Sequence, residues 1–173
     1  MAAELSKVAL RAEVAARRKA RSQPERDAAA ATLGERVLAL PELAAASTVT
    51  AYESFPTEPG TGPLLAALRG RNVRVLLPVL RGDNDLDWVA EGEELGVKAV
   101  RAADVVICPA VAATPDGLRL GRGGGSYDRV LARVDPSTLT VALLQDDEVV
   151  DDVPTDPHDR RVDVVITPTR TLR

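Results

Sequence analysis

The stretch from Arg119 to Arg129, Arg-Leu-Gly-Arg-Gly-Gly-Gly-Ser-Tyr-Asp-Arg, combines glycines and arginines in a pattern that suits an anion. Its glycines let the backbone adopt positive φ and approach a ligand closely. The guanidinium groups of Arg119 and Arg122 are planar, forked donors that suit phosphate oxygens. A helix is predicted to begin near Tyr127, and a helix N-terminus also attracts anions. The pattern favours a phosphate-binding loop, with a glycine turn between surface arginines as the alternative.

This stretch resembles the signature of the 5-formyltetrahydrofolate cyclo-ligase family, also called methenyltetrahydrofolate synthetases. Three further segments match the family pattern in the right order. They are Lys7-Val-Ala-Leu-Arg11, Ser54-Phe-Pro-Thr-Glu58, and Pro154-Thr-Asp-Pro-His-Asp159 followed by Val162-Asp-Val-Val-Ile-Thr167. The resemblance covers nearly the whole chain.

The resemblance implies an enzyme that uses ATP and Mg²⁺ to convert 5-formyltetrahydrofolate into 5,10-methenyltetrahydrofolate, releasing ADP and phosphate. In such a reaction the formyl oxygen is phosphorylated, N10 attacks the activated carbon, and phosphate departs. Phosphoryl transfer depends on positioning and charge neutralisation more than on a protein nucleophile.

By family correspondence, most candidate site residues lie in these matched segments. Arg122 and Asp128 are the expected catalytic residues. The nucleotide is expected to contact Lys7, Arg11, Arg119, Leu120, Gly121, Arg122, Gly123, Gly124, Gly125, Ser126 and Tyr127. The folate is expected to contact Arg11, Phe55, Glu58, Arg122, Gly123, Gly124, Gly125 and Ser126. Glu58 has an alternative role as a cap of the helix that begins near Thr61.

Two carboxylates correspond to the family's magnesium ligands, Asp128 and Asp163. Mg²⁺ prefers oxygen ligands, usually one or two carboxylates together with water and phosphate. Asp128 has an alternative role as a helix-start charge favoured by the dipole. Asp163 falls within an apolar strand pattern, where an unpaired carboxylate is costly, so a metal or a buried partner is expected. The single histidine, His158, is interpreted as part of a turn after Pro157, with a catalytic base as the alternative.

The composition is that of one globular domain spanning 1–173, with 45% hydrophobic and 28% charged residues. The sequence lacks an apolar run long enough to cross a bilayer, and its N-terminus lacks the apolar core of a signal peptide. The single cysteine, Cys108, cannot form an internal disulfide, which fits the cytoplasm, and it is expected to pack in a buried strand. The net charge of −4 argues against general nucleic-acid binding. A monomer acting on a small-molecule substrate is expected.

Apolar runs alternate with helical patterns along the chain. Helices are predicted up to about residue 20, from Ser22 to about Leu40, around 64–68 and from Tyr127. Strands are predicted at 49–52, at 73–77 (closed by Pro78), at 104–108, at 140–144 and at 162–167. Uninterrupted apolar strands between helices predict an α/β fold, a three-layer domain with a mostly parallel sheet and helices on both faces. Ligands of such sheets bind beyond the carboxyl ends of the strands.

The chain also departs from the family pattern. Ser126 stands where family members carry a tyrosine, and Gln145 stands where an aromatic residue is common. The segment 89–103 is shorter than in family members and lacks a Phe-Gly-Ile-x-Glu-Pro motif, so a shorter wall of the substrate site is expected. Tyr52, Phe55 and Tyr127 lie in or beside matched segments, which suggests ligand contact, with core packing as the alternative for Tyr52. These differences leave a second hypothesis, a nucleotide-binding family member with a lost or altered substrate.

Overall fold

The computed structural model describes residues 2–173, without the side chains of Ala3 and Leu5, so Met1 of the predicted domain lies outside the described residues. The helices are α1 (Ala2–Ala20), α2 (Gln23–Leu38), α3 (Pro41–Ala44), α4 (Gly62–Arg69) and α5 (Ser126–Arg133), with 3₁₀ helices at Val97–Ala102 and Asp146–Glu148. The strands are β1 (Thr48–Thr50), β2 (Arg74–Leu80), β3 (Leu86–Ala90), β4 (Glu93–Glu94), β5 (Val105–Pro109), β6 (Ala112–Ala113), β7 (Arg119–Leu120), β8 (Leu139–Leu143), β9 (Val164–Ile166) and β10 (Thr171–Leu172). The predicted helices and strands are present in the predicted order. The sequence did not predict α3, β3, the two 3₁₀ helices or the two-residue strands β4, β6, β7 and β10.

An eight-stranded sheet organises the chain in the order β10-β9-β8-β5-β1-β2-β3-β4. The five central strands, from β9 to β2, run parallel. The outer strands β10, β3 and β4 pair antiparallel. The predicted α/β fold with a mostly parallel sheet is confirmed, with antiparallel strands at both edges.

Alternate residues of the central strands pack on opposite faces of this sheet. Val105 and Ile107 of β5 join α2, α3 and α4 in one apolar cluster. Val106 and Cys108 join α5 and β3 in another. This alternation follows from the two-residue period of a strand and explains why β5 reads as an uninterrupted apolar run. Burial of Cys108 on this face raises the pKa of its thiol to about 11, consistent with the predicted packing role.

The boundary of α2 is set locally, as predicted. The Ser22 hydroxyl accepts a hydrogen bond from the Glu25 backbone N–H, and the Glu25 carboxylate accepts one from the Ser22 N–H. This capping box satisfies two N–H groups that a helix start otherwise leaves unpaired.

The predicted end of β2 at Pro78 is wrong. The strand continues to Leu80, and Pro78 lies opposite Trp88 in an antiparallel pair with β3. The parallel neighbour β1 pairs with β2 only as far as Leu76. Beyond that point β2 has a single partner strand, which is where a sheet tolerates a residue without an N–H.

The long helix α1 is fixed to the sheet by a buried ion pair. Arg18 donates to both carboxylate oxygens of Glu148, over 2.7 and 3.0 Å, and to the carbonyl of Ala110, over 2.8 Å. Both side chains are almost fully buried. Glu148 also accepts a hydrogen bond from the Gln145 N–H. The polar groups of this buried cluster thereby satisfy one another.

Among residues 2–173, no helix has the length and apolar character needed to span a membrane.

The ion pair predicts a large and specific stability effect. Arg18→Met leaves the Glu148 carboxylate buried without its partner, so the free energy of unfolding is expected to fall by about 3–5 kcal/mol. The exposed neighbour Lys19 provides the control, since Lys19→Met is expected to stay within about 0.5 kcal/mol of wild type. Urea denaturation measures both. The double variant Arg18→Met/Glu148→Met is expected to recover part of the loss, and equal effects of the two single variants would contradict this account.

Candidate active site

A cavity of about 810 Å³ opens where the strands β1, β2 and β5 end. This is the edge at which parallel sheets bind ligands. Its walls come from α1, the loop after β1, the β2–β3 pair, the glycine loop and the C-terminal loop. The lining residues are Glu4, Lys7 and Arg11; Tyr52, Glu53, Phe55 and Glu58; Leu77, Pro78, Val79, Leu80, Leu86 and Val89; Pro109, Ala110 and Arg119 through Asp128; and Asp156, His158 and Asp159. Every predicted site residue except Asp163 therefore lines this cavity.

The glycine loop depends on glycine at specific positions. Gly123 has φ of 116°, and Gly125, which precedes α5, has φ of 72°. Side chains larger than hydrogen are disfavoured in this region of backbone space. A Cβ at Gly121 would lie 2.8 Å from the Arg119 guanidinium. Backbone geometry and side-chain crowding thus both select the glycines of this loop.

Three arginines surround the glycine loop, and each is held differently. Arg11 donates from Nε to the Gly121 carbonyl over 2.8 Å. Arg119 is buried and donates from Nε to the Pro109 carbonyl over 2.8 Å. Arg122 is exposed and stacks over the Phe55 ring, with its Cζ 4.5 Å from the ring centroid. The loop therefore concentrates positive charge at one wall of the cavity.

The Arg119 guanidinium leaves one donor open. Its Nη1 is buried and has no hydrogen-bond partner among the described residues. The nearest carboxylate oxygen is Asp128 Oδ1, 3.8 Å away. An unpaired buried N–H is costly, and an anionic ligand in the cavity would supply the missing acceptor.

Lys7 has protein partners in addition to its place on the cavity wall. Its Nζ donates to Asp156 Oδ2 over 2.5 Å and to Asp159 Oδ2 over 3.2 Å. Burial alone would lower the pKa of Lys7, but the two carboxylates outweigh it and raise this pKa. The lysine predicted to face phosphate is thus already neutralised by the C-terminal loop.

A cluster of possible metal ligands adjoins Lys7. One ligand atom from each of Asp128, His158 and Asp159 lies within 4.8 Å of the other two. Carboxylates of this kind suit a hard cation such as Mg²⁺. His158 is largely exposed and lies in the predicted turn, with its Nε2 3.5 Å from Asp159.

The predicted pairing of Asp163 with Asp128 in one metal site is wrong. Asp163 is exposed and lies just before β9, where its Oδ2 accepts hydrogen bonds from the Thr140 N–H and hydroxyl over 2.9 and 3.0 Å. It therefore lies at the amino ends of β8 and β9, whereas the cavity lies at the carboxyl ends. Thr140 satisfies the carboxylate that the sequence analysis expected to need a metal.

The loop after β1 is braced by its own side chains. Glu58 is buried, and its Oε1 accepts a hydrogen bond from the Phe55 N–H over 2.7 Å. Ser54 and Thr61 exchange backbone-to-hydroxyl hydrogen bonds across the loop. Glu58 therefore holds the Phe55 turn and does not cap α4, whose N-cap residue is Thr61. This bracing leaves the Phe55 ring 55% exposed at the cavity rim.

The aromatic residues divide between cavity and core. Tyr52, Phe55 and Tyr127 line the cavity, although Tyr52 and Tyr127 are largely buried. Burial raises the pKa of the Tyr127 phenol. Trp88 is fully buried in the cluster beneath α5 and is not among the described residues that line the cavity. Trp88 shares the buried face of β3 with Leu86 and Ala90.

Some of the residues that line the cavity were not predicted from the sequence. Asp156 and Asp159 line it, and so does the apolar wall of β2 and β3, including Leu77, Leu80 and Val89. The Pro-His-Asp motif was a usable signal for Asp159. Of the segment 89–103, only Val89 lines the cavity.

The fold and cavity define an α/β protein with an arginine-lined glycine loop at the carboxyl edge of its sheet. A sequence model of the 5-formyltetrahydrofolate cyclo-ligase family matches residues 3–98 and 90–168. The 5-formyltetrahydrofolate cyclo-ligase of Mycolicibacterium smegmatis is 36% identical over 144 residues, covering 71% of this chain and 74% of that protein. The Escherichia coli protein of the same name is 32% identical over 155 residues, covering 78% and 85%.

Solved structures of methenyltetrahydrofolate synthetases also resemble this chain. A 5,10-methenyltetrahydrofolate synthetase from Aquifex aeolicus has a TM-score of 0.83 at 26% identity, covering 96% of this chain and 92% of that chain. One from Mycoplasma pneumoniae shares the fold, with a TM-score of 0.83 at 23% identity over 94% and 98% of the two chains. The chain belongs to the 5-formyltetrahydrofolate cyclo-ligase family.

The bracing role of Glu58 leads to a stability prediction. Glu58→Ala removes the acceptor of the Phe55 N–H, so the free energy of unfolding is expected to fall by about 1–3 kcal/mol. The matched control is Glu53→Ala, because Glu53 is exposed and lines the same cavity. Chemical denaturation of both variants tests the difference, and a Glu58→Ala protein as stable as Glu53→Ala would refute the brace.

Proposed function

We propose that this protein catalyses the ATP- and Mg²⁺-dependent conversion of 5-formyltetrahydrofolate to 5,10-methenyltetrahydrofolate, with release of ADP and phosphate. The observation that carries the proposal is one cavity with two unlike walls, an arginine-lined glycine loop and an apolar β2–β3 wall beside Phe55. The first suits a polyphosphate and the second suits an aromatic substrate. Membership of the cyclo-ligase family supplies the substrate class.

In this proposal the triphosphate binds at the glycine loop. The loop N–H groups, the start of α5 and the open Nη1 of Arg119 supply donors to the phosphate oxygens. Arg11 and Arg122 add positive charge on either side. Lys7 stays close to the phosphates while it bonds to Asp156 and Asp159, so it adjusts the local charge rather than serving as a free cation.

Mg²⁺ is proposed to bind at Asp128 and Asp159, with His158 beside them. This pair replaces the Asp128 and Asp163 pair that the family correspondence implied. The donor set fits the ion, because two carboxylates supply hard oxygen ligands. The ion would neutralise charge on the phosphates.

The folate is proposed to lie between Phe55, Glu58 and the apolar strands.

In the proposed reaction, the formyl oxygen attacks the γ-phosphorus and ADP leaves. N10 then attacks the formyl carbon and loses its proton, and the carbon–oxygen bond breaks to release phosphate. Arg122 stacks on Phe55 and lines the same cavity as the glycine loop, so it can stabilise charge on the transferred phosphoryl group.

A second candidate function has one specific observation in its favour. Ser126 replaces a family tyrosine at the start of α5 and lines the cavity. An aromatic ring that stacks on a base contributes about 1–3 kcal/mol in nucleic-acid complexes, so a pocket without this ring has less to offer a pterin. A nucleotide-binding protein with a changed substrate is therefore the alternative.

One assay separates the two functions. The purified protein is mixed with Mg-ATP and 5-formyltetrahydrofolate, and formation of the methenyl product is followed by its absorbance. A signal that requires both ATP and enzyme supports the cyclo-ligase. ATP binding by calorimetry without any product would favour the alternative.

The role of Arg122 predicts a loss of nucleotide affinity. Arg122→Ala removes a charged donor, so ATP binding is expected to weaken by about 1.5–3 kcal/mol, roughly 10- to 150-fold. The control is Arg101→Ala, because Arg101 is exposed on the 3₁₀ helix before β5. Calorimetric titration of ATP tests both variants, and unchanged affinity in a folded Arg122→Ala protein would exclude the arginine from phosphate binding.

The metal assignment predicts a contrast between two aspartates. Asp128→Asn is expected to lower turnover by about two orders of magnitude or more with little change in thermal stability, because the ion acts on charge in the transition state. Asp163→Asn is expected to retain turnover within about twofold, since an amide oxygen can still accept from Thr140. Turnover is measured across a Mg²⁺ titration. A larger loss in Asp163→Asn than in Asp128→Asn would reverse the assignment.

A further inference from the structure

The turn between β2 and β3, residues 81–85, is fastened to α5 by three side chains. The Ser126 hydroxyl donates to the Asn84 carbonyl over 2.6 Å. Arg129 donates to the Asp83 carbonyl over 2.8 Å. Arg133 makes a bidentate ion pair with Asp85, with distances of 2.8 and 2.6 Å. The three side chains are three and four residues apart along α5, and together they contact three consecutive residues of the turn.

The turn has a defined conformation of its own. Its ends are closed by hydrogen bonds from the Arg81 N–H to the Asp85 carbonyl and from the Asn84 N–H to the Arg81 carbonyl. Asn84 adopts φ of 64°, a left-handed conformation that asparagine tolerates better than most residues. The Asn84 side chain lies 3.7 Å from where a Cβ of Gly124 would be. The turn thus reaches the glycine loop as a preformed unit.

The Arg133–Asp85 pair is the strongest of these contacts. Only 22% of the Arg133 side chain and 16% of the Asp85 side chain are exposed. Such a partly buried, bidentate pair holds a fixed geometry better than an exposed one. The Arg133 guanidinium holds the pKa of Asp85 below its usual range.

The two elements that this contact joins face different parts of the cavity. α5 begins directly after the glycine loop, on the proposed nucleotide side. The arms of the turn carry Leu80 and Leu86, which line the proposed folate side. Neither Arg133 nor Asp85 is among the described lining residues.

We infer that Arg133 and Asp85 are positioning residues that hold the β2–β3 wall in place relative to the glycine loop. The inference rests on the proposed function. Through this pair, nucleotide bound at the loop orders the wall against which the folate binds. Binding of the nucleotide therefore tightens binding of the folate, and the reverse holds equally because coupling between two sites is reciprocal.

The chain offers a control in the Arg173–Glu42 pair, which has the same bidentate geometry and is more exposed. This second bidentate arginine–carboxylate pair has distances of 2.7 and 3.0 Å and ties the C-terminus to α3. Arg173→Gln therefore breaks the same kind of contact outside the cavity wall.

Hydrogen exchange tests the positioning role without folate. Mg-ATP is expected to slow exchange in residues 79–89 of wild type and Arg173→Gln, and to have no such effect in Arg133→Gln. Equal protection in Arg133→Gln and wild type would overturn the inference. So would a wild-type protein that binds ATP without any protection of this segment.

Kinetics provide the second arm of the test. Arg133→Gln is expected to raise the KM for 5-formyltetrahydrofolate at saturating Mg-ATP by about fivefold or more, with the KM for ATP changed less than about twofold. Arg133→Lys is expected to restore part of the effect. An equal rise in Arg173→Gln, or an unchanged folate KM in Arg133→Gln, would overturn the inference. If wild type turns over no folate, the proposed function fails, while the exchange experiment still decides the role of the pair.

Discussion

The buried ion pair between Arg18 and Glu148 is the contact on which the arrangement of the cavity depends. It joins α1 to the end of β5 through Ala110 and to the turn after β8 through Gln145. Arg18, Arg11 and Lys7 are spaced by seven and four residues, so they lie along one stripe of the helix. Fixing the C-terminal half of α1 therefore sets where its N-terminal half presents Lys7 and Arg11. A single desolvated arginine thus orients two charged side chains at the ligand site.

The cavity balances charge in two neighbouring zones. Arg11, Arg119 and Arg122 crowd the glycine loop, where the buried Nη1 of Arg119 has no acceptor among the described residues. Beside it, Asp156 and Asp159 bond to Lys7, and Asp128 lies close to Asp159. A Mg²⁺–nucleotide complex carries positive and negative charge side by side. It would therefore match these two charged zones better than a free anion or a free cation. Electrostatic complementarity of this kind fixes the orientation of a ligand as well as its affinity.

Local signals in the sequence predicted much of the fold. The capping box at Ser22 and the apolar runs of β5 and β8 each depend on a few adjacent residues, and the structure contains them as expected. The strand through Pro78 was missed because the tolerance for proline came from the end of β1, which is remote in sequence. The glycine loop and Phe55 were found by motif. The partners of Lys7 lie 149 and 152 residues away, so although a motif marks Asp159, no local pattern could reveal that it pairs with Lys7. The Asp163 assignment failed for a similar reason, since Thr140 was an unseen partner.

The antiparallel edge of the sheet has a consequence for how this family can vary. Beyond Val89, the chain through β4 and the 3₁₀ helix leaves the cavity and returns to it at Pro109, the last residue of β5. Insertions or deletions in this excursion change the outline of the molecule and leave the cavity lining in place, which is the circumstance in which length changes are tolerated. The stretch between β3 and β5 is therefore a position at which a protein engineer could graft new sequence.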